Sequence, residues 1–149
     1  MEKLAVVSSS PLFEMLSSAE LAHLAELSER RRYSAGDVVF EEGERGDCLY
    51  LIVRGEVELT RRDGGGVSRP LTVLSAPGFF GEMSLIDLED RSATVRARTD
   101  TELLRLTTEH LATFRQQHRE GFTFVVLNIA RILSARVREA NARLSARQG

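Results

Sequence analysis

The middle of the chain, residues 33–106, alternates short apolar runs with glycine-containing turns, and no other feature constrains the fold as strongly. The apolar runs are rich in β-branched side chains and are too short for stable helices. They are Val38–Phe40, Leu49–Val53, Val57–Thr60, Leu71–Leu74, Ala93–Ala97 and Leu103–Leu106. Glycines stand between them, and Gly64–Gly66 is predicted to form the exposed tip of a hairpin. Many short strands separated in this way predict an antiparallel sandwich or barrel.

The first 32 residues have helical periodicity. Ser17 and Glu20 have the spacing of a capping box, in which each side chain accepts a hydrogen bond from the other residue's backbone. Ser10–Pro11 is expected to open an earlier helical turn. Arg30–Arg32 is expected to end the second helix, where positive charge meets the negative end of the helix dipole. The alternative for these arginines is a surface that binds an acidic or phosphate-bearing partner.

The last part of the chain also predicts helices: Thr108–His118, a break at Gly121, and a long helix from Phe122 to about Arg147. Its apolar spacing favours packing against a second copy, so we expect a homodimer; the alternative is a helix docked only on its own strands. The stripe comprises Val126, Ile129, Leu133, Val137, Ala140 and Leu144. We interpret the arginines of this helix as a solvated face, with an acidic or nucleic-acid partner as the alternative. They are Arg131, Arg136, Arg138, Arg143 and Arg147.

Composition limits the class of protein. A chain of 149 residues, 42% hydrophobic and 28% charged, fits one globular domain, residues 1–149. A net charge of −2 argues against general nucleic-acid affinity. No apolar run approaches a membrane span and no secretion signal is recognisable, so we expect a cytoplasmic protein without membrane contact. The single cysteine, Cys48, cannot form an intrachain disulfide and is expected to be a small buried hydrophobe.

Residues 80–95 contain the side chains best suited to binding. They read Phe-Gly-Glu-Met-Ser-Leu-Ile-Asp-Leu-Glu-Asp-Arg-Ser-Ala-Thr-Val. Gly81 lets the backbone approach a ligand, and the short helix predicted after it offers free N–H groups to an anion. Arg91 adds a planar guanidinium suited to phosphate oxygens, whereas the Glu82 carboxylate would repel phosphate and suits a neutral hydroxyl. The pair predicts a sugar-phosphate site; an ordinary surface ion pair is the alternative.

Nothing in the sequence predicts catalysis. His23, His110 and His118 lie far apart in helix-like stretches, whereas a jelly-roll metalloenzyme would need a His-x-His pair on a strand. No nucleophile elbow, Walker loop or dinucleotide fingerprint is present. We therefore expect no enzyme activity, no metal and no cofactor.

Phe80-Gly-Glu-x-Ser-Leu followed by Arg91-Ser-Ala-Thr-Val resembles the phosphate-binding cassette of cyclic nucleotide-binding domains. The separation between Glu82 and Arg91 fits that family. The run from Tyr33 to Val57 resembles the first half of the family's β-roll, so the resemblance covers most of the chain. Pro77-Gly78 departs from the Gly-Asp of many relatives. The resemblance implies a mainly β domain with flanking helices (α+β): an antiparallel β-roll, or double-stranded β-helix jelly roll, over residues 33–106. N-terminal helices over residues 1–32 and lid or dimerisation helices over residues 107–149 would flank it.

The resemblance also implies roles for individual residues. Glu82 would bind the ribose 2′-hydroxyl and Arg91 the exocyclic phosphate oxygens. Backbone amides of the glycine turn and of the residues after the arginine would complete the site, which comprises Gly81, Glu82, Met83, Ser84, Arg91, Ser92 and Ala93. A polar residue of the last helix would contact the base, with Asn128, Arg131 and Arg136 as candidates. Serine rather than threonine after the arginine favours cyclic AMP over cyclic GMP.

By this resemblance the chain is a regulatory sensor that passes ligand occupancy through its C-terminal helices to a protein partner or a second subunit. No recognition helix follows the last predicted helix before Gly149, so direct DNA binding by this chain is not expected. Two alternatives stay open: a protein-docking or dimerisation β-roll with an unused pocket, and the sensor fragment of a longer transcriptional regulator.

Overall fold

The computed structural model describes residues 2–85 and 90–148. Helices come first: α1 (Glu2–Ser9), a 3₁₀ turn (Pro11–Phe13) and α2 (Ser18–Leu27). Strands follow: β1 (Glu29–Tyr33), β2 (Val38–Phe40), β3 (Cys48–Arg54), β4 (Glu56–Arg62), β5 (Ser68–Ser75), β6 (Phe79–Phe80), β7 (Thr94–Ala97) and β8 (Thr101–Thr107). A 3₁₀ helix (Glu82–Leu85) lies between β6 and β7, and α3 (Thr108–Gln117) and α4 (Arg119–Gln148) complete the described chain. Residues 86–89 of the predicted cassette lie outside the described residues.

The strands of the described chain form two antiparallel four-stranded sheets, in the orders β1-β8-β3-β6 and β2-β7-β4-β5. With helices at both ends, this confirms the predicted β-roll with flanking helices. β4 and β5 form a hairpin, and Gly64–Gly66 lies at its exposed tip, as the sequence predicts. β6 was not predicted, because a two-residue strand has no periodicity to detect.

Two apolar clusters lie on opposite faces of the first sheet. Alternate residues of β3 supply both: Leu49 and Leu51 pack towards the helices, while Tyr50 and Ile52 pack inside the roll. The helix-side cluster also holds Phe114 of α3. Because successive side chains of a strand point to opposite faces, one strand can serve both clusters. The inner face is the one that borders the cavity described below.

The prediction that Arg30–Arg32 ends a helix is wrong. The capping box of Ser17 and Glu20 is confirmed, but α2 ends at Leu27 and residues 29–33 form strand β1, paired with β8. Cross-strand pairing overrode the local helical pattern. Arg30 Nη1 donates a hydrogen bond to buried Glu102 at 2.8 Å and to Glu2 at 3.0 Å. This arginine is therefore neutralised within the chain.

The prediction that Gly121 breaks the helices is also wrong. α3 ends at Gln117, with His118 as its C-cap, and Gly121 lies in the first turn of α4. A Cβ at Gly121 would overlap the carboxylate of Glu20 on α2. The glycine therefore permits close approach of two helices.

Only part of the apolar stripe predicted for pairing is exposed. Ile129 is 1% exposed, and Leu133 is partly buried against the helix-side cluster. Val126, Val137 and Leu144 are 45%, 58% and 54% exposed. Any second copy would therefore meet the exposed residues, while Ile129 is buried in the helix-side cluster.

Candidate functional site

A cavity of about 440 Å³ lies inside the β-roll, next to the 3₁₀ helix Glu82–Leu85. Leu59, Leu74 and Val95 provide apolar walls from three strands of the second sheet. Charged groups of Glu82, Arg91 and Arg136 border the same space. The volume falls within the range of pockets that bind small molecules. The arrangement suits a ligand with one apolar face and a polar, anionic end.

Arg91 is 7% exposed, and its guanidinium is held from several directions. Nη2 donates to the carbonyl oxygen of Cys48 at 2.9 Å and contacts its Sγ at 3.3 Å, and Nη1 donates to the carbonyl of Gly81 at 3.3 Å. The Phe40 ring lies beneath the guanidinium, 4.0 Å from its central carbon. The backbone of Arg91 is also fixed, because its N–H donates to the carbonyl of Glu44 at 2.7 Å. A buried, oriented guanidinium is suited to an oxyanion such as phosphate.

Gly81 stands between this arginine and the helix that follows. Its φ of +83° is in the left-handed region. A Cβ here would lie 2.8 Å from Nη1 of Arg91 and 3.1 Å from the carbonyl oxygen of Cys48. Only glycine adopts this φ without strain and also leaves room for Arg91 and the Cys48 carbonyl. This agrees with the sequence prediction that the backbone approaches a ligand at Gly81.

Glu82, at the start of the 3₁₀ helix, is 6% exposed and faces α4. Its Oε1 accepts a hydrogen bond from Nη1 of Arg136 at 2.9 Å. A buried carboxylate needs such a partner, because its desolvation is costly. The carboxylate can accept further hydrogen bonds, so a ligand hydroxyl can share it with Arg136 or replace Arg136.

The other predicted cassette residues differ in their positions. Ala93 is buried and Ser92 exposed, and both border the cavity. The carbonyl of Ser92 accepts a hydrogen bond from Nε of Arg61 at 2.9 Å, which ties this segment to β4. Met83 is 40% exposed beside the cavity. Ser84 lies in the 3₁₀ helix, and its side chain is outside what the structure describes.

Of the three candidates for the base contact, only Arg136 borders the cavity. Asn128 is 2% exposed and donates to the carbonyls of Leu12 at 3.0 Å and Glu14 at 2.8 Å. Arg131 contacts Oδ1 of Asn128 at 3.4 Å. Asn128 therefore joins α4 to the N-terminal segment, and neither it nor Arg131 reaches the cavity of its own chain.

Sequence reasoning missed two residues that hold Arg91. Phe40 belongs to an aromatic group with Tyr50 and Phe80, with ring centroids 5.1–6.1 Å apart. Strand alternation placed Phe40 in a sheet but could not reveal that its ring would lie under a guanidinium. Cys48 is buried, as predicted, yet its sulfur also contacts Arg91, and no local pattern signals that contact.

Residues 2–85 and 90–148 offer neither a three-ligand metal cluster nor a membrane-spanning helix. No cluster of three or more His, Cys, Asp or Glu side chains there could hold a metal ion. No helix in this part of the chain combines the length and apolar character needed to span a membrane.

Comparison with known proteins agrees with this geometry. The Cyclic AMP receptor protein of Thermus thermophilus is 40% identical over 136 residues, which cover 91% of this chain and 61% of that protein. A cAMP-dependent protein kinase regulatory subunit from Mycosarcoma maydis is 41% identical over 96 residues, covering 64% of this chain and 18% of that protein. The chain thus spans less than two thirds of these relatives.

A solved structure is similar over nearly the whole chain. The cyclic nucleotide-binding domain from Methylobacillus flagellatus has a TM-score of 0.83 and 27% identity, covering 98% of this chain and 82% of that one. The family model of the cyclic nucleotide-binding domain, which describes the sequences of that family, matches residues 30–118 of this chain. This range is more than half of the chain and includes every strand from β2 to β8. The chain therefore belongs to the cyclic nucleotide-binding domain family.

Proposed function

We propose that this chain is a regulatory module that binds cyclic AMP in the β-roll cavity. The observation that carries the proposal is the burial of Glu82 and Arg91, 6% and 7% exposed, around one cavity. The named relatives are a receptor and a kinase regulatory subunit, which supports a binding role over a catalytic one.

In the proposed complex, Arg91 binds the exocyclic oxygens of the cyclic phosphate. The phosphate carries one negative charge, and a buried guanidinium interacts with it more strongly than an exposed one would. Backbone N–H groups at Gly81, Ser92 and Ala93 complete the anion site. The described helix after Gly81 is a 3₁₀ helix of four residues, so its dipole is a minor contribution beside Arg91.

Glu82 binds the ribose 2′-hydroxyl in this complex, and the purine lies against the apolar walls. Arg136 donates a hydrogen bond to the Glu82 carboxylate, so this arginine lies at the sugar end of the proposed site. Serine at position 92, together with the resemblance that favours cyclic AMP at such sites, supports adenine over guanine. Leu59, Leu74 and Val95 offer the flat base an apolar surface.

Arg136 would couple ligand binding at Glu82 to the position of α4. A hydroxyl that replaces Arg136 at Glu82 changes the partners of Arg136, which lies on α4. A ligand shifts a conformational equilibrium only by its difference in affinity for the two states. Competition between the ligand hydroxyl and Arg136 for Glu82 would give the ligand different affinities for the two states. The changed position of α4 would then alter the surface that it presents to a partner or a second subunit.

A homodimer through α4 is the second part of the proposal. Val126, Val137 and Leu144 are large apolar side chains that the chain itself leaves about half exposed. Light scattering across a range of protein concentrations tests it: we expect the dimer mass for the wild type and a monomer for Val137→Glu. A monomer for both proteins would remove the dimer from the proposal.

Isothermal titration with cyclic AMP and cyclic GMP, alongside 5′-AMP as the uncyclised control, tests ligand binding. We expect heat with cyclic AMP, a weaker response with cyclic GMP and none with 5′-AMP. Ligand at about 100 times its dissociation constant should stabilise the fold by about 2.7 kcal/mol, which raises the melting temperature. No heat and no melting shift with any cyclic nucleotide would exclude the sensor function.

A further inference from the structure

Cys48 is the first residue of β3, and its thiol lies inside the roll at 2% exposure. Cys48 offers two acceptors to Nη2 of Arg91: its backbone carbonyl oxygen at 2.9 Å and its Sγ at 3.3 Å. A sulfur at this distance is within reach of an N–H donor, and a bond to a charged donor is stronger than one between neutral groups.

The contacts of Arg91 differ in which part of the guanidinium orientation they fix: its plane or its direction within that plane. The Phe40 ring fixes the plane of the guanidinium, but a ring face does not fix rotation within that plane. The carbonyls of Gly81 and Cys48 are backbone groups, which no substitution removes. Among the contacts given above, the Cys48 thiol is a side-chain acceptor that can set the in-plane direction of the fork, and substitution can test it.

A second guanidinium also lies near the thiol. Arg105 of β8 lies beside Cys48, and their interaction is the largest cause that raises the pKa of Arg105. Nε of Arg105 is buried and has no hydrogen-bond partner within the described residues. The thiol therefore has two cations near it, surroundings in which an acceptor is more favourable than a hydrocarbon side chain.

We propose that Cys48 is a positioning residue of the phosphate site, which acts through Arg91 by holding its guanidinium in the orientation that meets the ligand. The proposal rests on the function proposed above, because its effect on affinity requires that a cyclic nucleotide binds at Arg91.

The test is a double-mutant cycle in cyclic AMP affinity with Cys48→Ala, Cys48→Ser and Arg91→Lys. We expect Cys48→Ala to weaken binding about tenfold and Cys48→Ser, which keeps an acceptor, to restore affinity to within about threefold of the wild type. In the Arg91→Lys background the same Cys48→Ala change should cost less than about twofold. Val57→Ala is the control for loss of packing, because Val57 is in the same inner cluster but does not border the cavity.

An unchanged affinity in Cys48→Ala, or an equal loss with arginine and with lysine at position 91, overturns the proposal. A second measurement needs no ligand: guanidinium ¹⁵N resonances of Arg91 report how fast the group rotates. We expect faster rotation in Cys48→Ala and near-wild-type rotation in Cys48→Ser, whereas equal rates in all three proteins overturn the inference. If the wild type binds no nucleotide, the proposed function fails and this measurement alone decides the role of Cys48.

Discussion

Nη1 of Arg136 lies 2.9 Å from Oε1 of Glu82, which joins the last helix to the cavity through a charge-assisted hydrogen bond. The Glu82 side chain is 7% exposed and that of Arg136 is 53% exposed. The acceptor is therefore fixed inside the roll while the donor reaches in from solvent. Solvent screens the charge of the exposed guanidinium, but the buried carboxylate would lose a hydrogen-bond donor without it, so the pair contributes to position and to stability.

Replacing Arg136 by alanine should uncouple α4 from the ligand and also lower stability, because the buried Glu82 carboxylate loses a hydrogen-bond donor. Without the guanidinium, a ribose at Glu82 no longer changes a contact of the helix. Hydrogen exchange of α4 with and without cyclic AMP measures this, and we expect a smaller ligand-induced change than in the wild type. Arg138→Ala is the matched control, because Arg138 contacts Ser134 of its own helix. An equal exchange response in both variants contradicts the coupling role.

Arg91→Lys should weaken cyclic AMP binding by about 2 kcal/mol, or roughly 30-fold. Lysine keeps the charge but loses the planar fork that can meet two phosphate oxygens at once. Titration calorimetry gives the affinity. Arg96→Lys is the control, since Arg96 is exposed on β7 and donates to the carbonyl of Gly36. Wild-type affinity in Arg91→Lys would show that the guanidinium does not bind phosphate.

Glu82→Gln should abolish discrimination between cyclic AMP and its 2′-deoxy analogue. In the wild type we expect the deoxy compound to bind about tenfold more weakly, because the charged acceptor loses its hydroxyl partner. In Glu82→Gln the two ligands should bind within about threefold of each other. Glu58→Gln, on strand β4 and outside the lining of the cavity, should discriminate as the wild type does. Persistent discrimination in Glu82→Gln would place the ribose elsewhere.

Gly81→Ala should lose both stability and ligand affinity, whereas Gly36→Ala should lose stability alone. Both glycines have positive φ, +83° and +93°, so each alanine is strained by roughly 1–2 kcal/mol. A Cβ at Gly36 meets no atom within 4 Å, but a Cβ at Gly81 presses on Nη1 of Arg91 at 2.8 Å. Melting curves and titrations of the two variants separate backbone strain from the clash. Equal affinities would disprove that Gly81 protects the position of Arg91.

Glu102→Gln should remove a pH-dependent part of the stability. Burial alone would raise the pKa of Glu102, but hydrogen bonds from Arg54 and Arg30 hold it below its ordinary value. A lowered folded-state pKa contributes stability that is complete above the ordinary glutamate pKa and is lost as the pH falls through the folded-state pKa. We expect the variant to be less stable by about 2 kcal/mol at pH 7.

Thermal unfolding from pH 7 down to pH 3 measures this difference, which should narrow below about pH 4.5 as the wild-type carboxylate becomes protonated. Glu56→Gln, on strand β4 of the other sheet, controls for the loss of a negative charge. A difference that stays constant with pH would show that the Glu102 network does not depend on ionisation.

Most strands and the core of the site could be predicted because their signals are local. Alternation along residues 49–53 places every second side chain on the same face, whatever the rest of the chain does. Gly81, Glu82 and Arg91 form a compact motif within residues 80–95, and the structure brings all three to one cavity. The capping box of Ser17 and Glu20 is local in the same way.

The failures share a cause as well. Arg30–Arg32 continues a helical pattern, but pairing with β8, some seventy residues later, made it a strand. Gly121 has a low helix propensity, but it lies inside α4, where the absence of a side chain leaves room for Glu20. In each case a partner distant in sequence decided the outcome, and tertiary contacts override weak local preferences.

The sequence by itself determined the glycine-cornered strands and the presence of a carboxylate, a glycine and an arginine at the spacing of a sugar-phosphate site. Only the tertiary structure decided how Arg91 is held, between the ring of Phe40 and the sulfur of Cys48, and that Arg136 of α4 binds Glu82. The physical reason is range: periodicity and turn chemistry act between residues close in the chain, whereas these contacts join residues 43–54 positions apart.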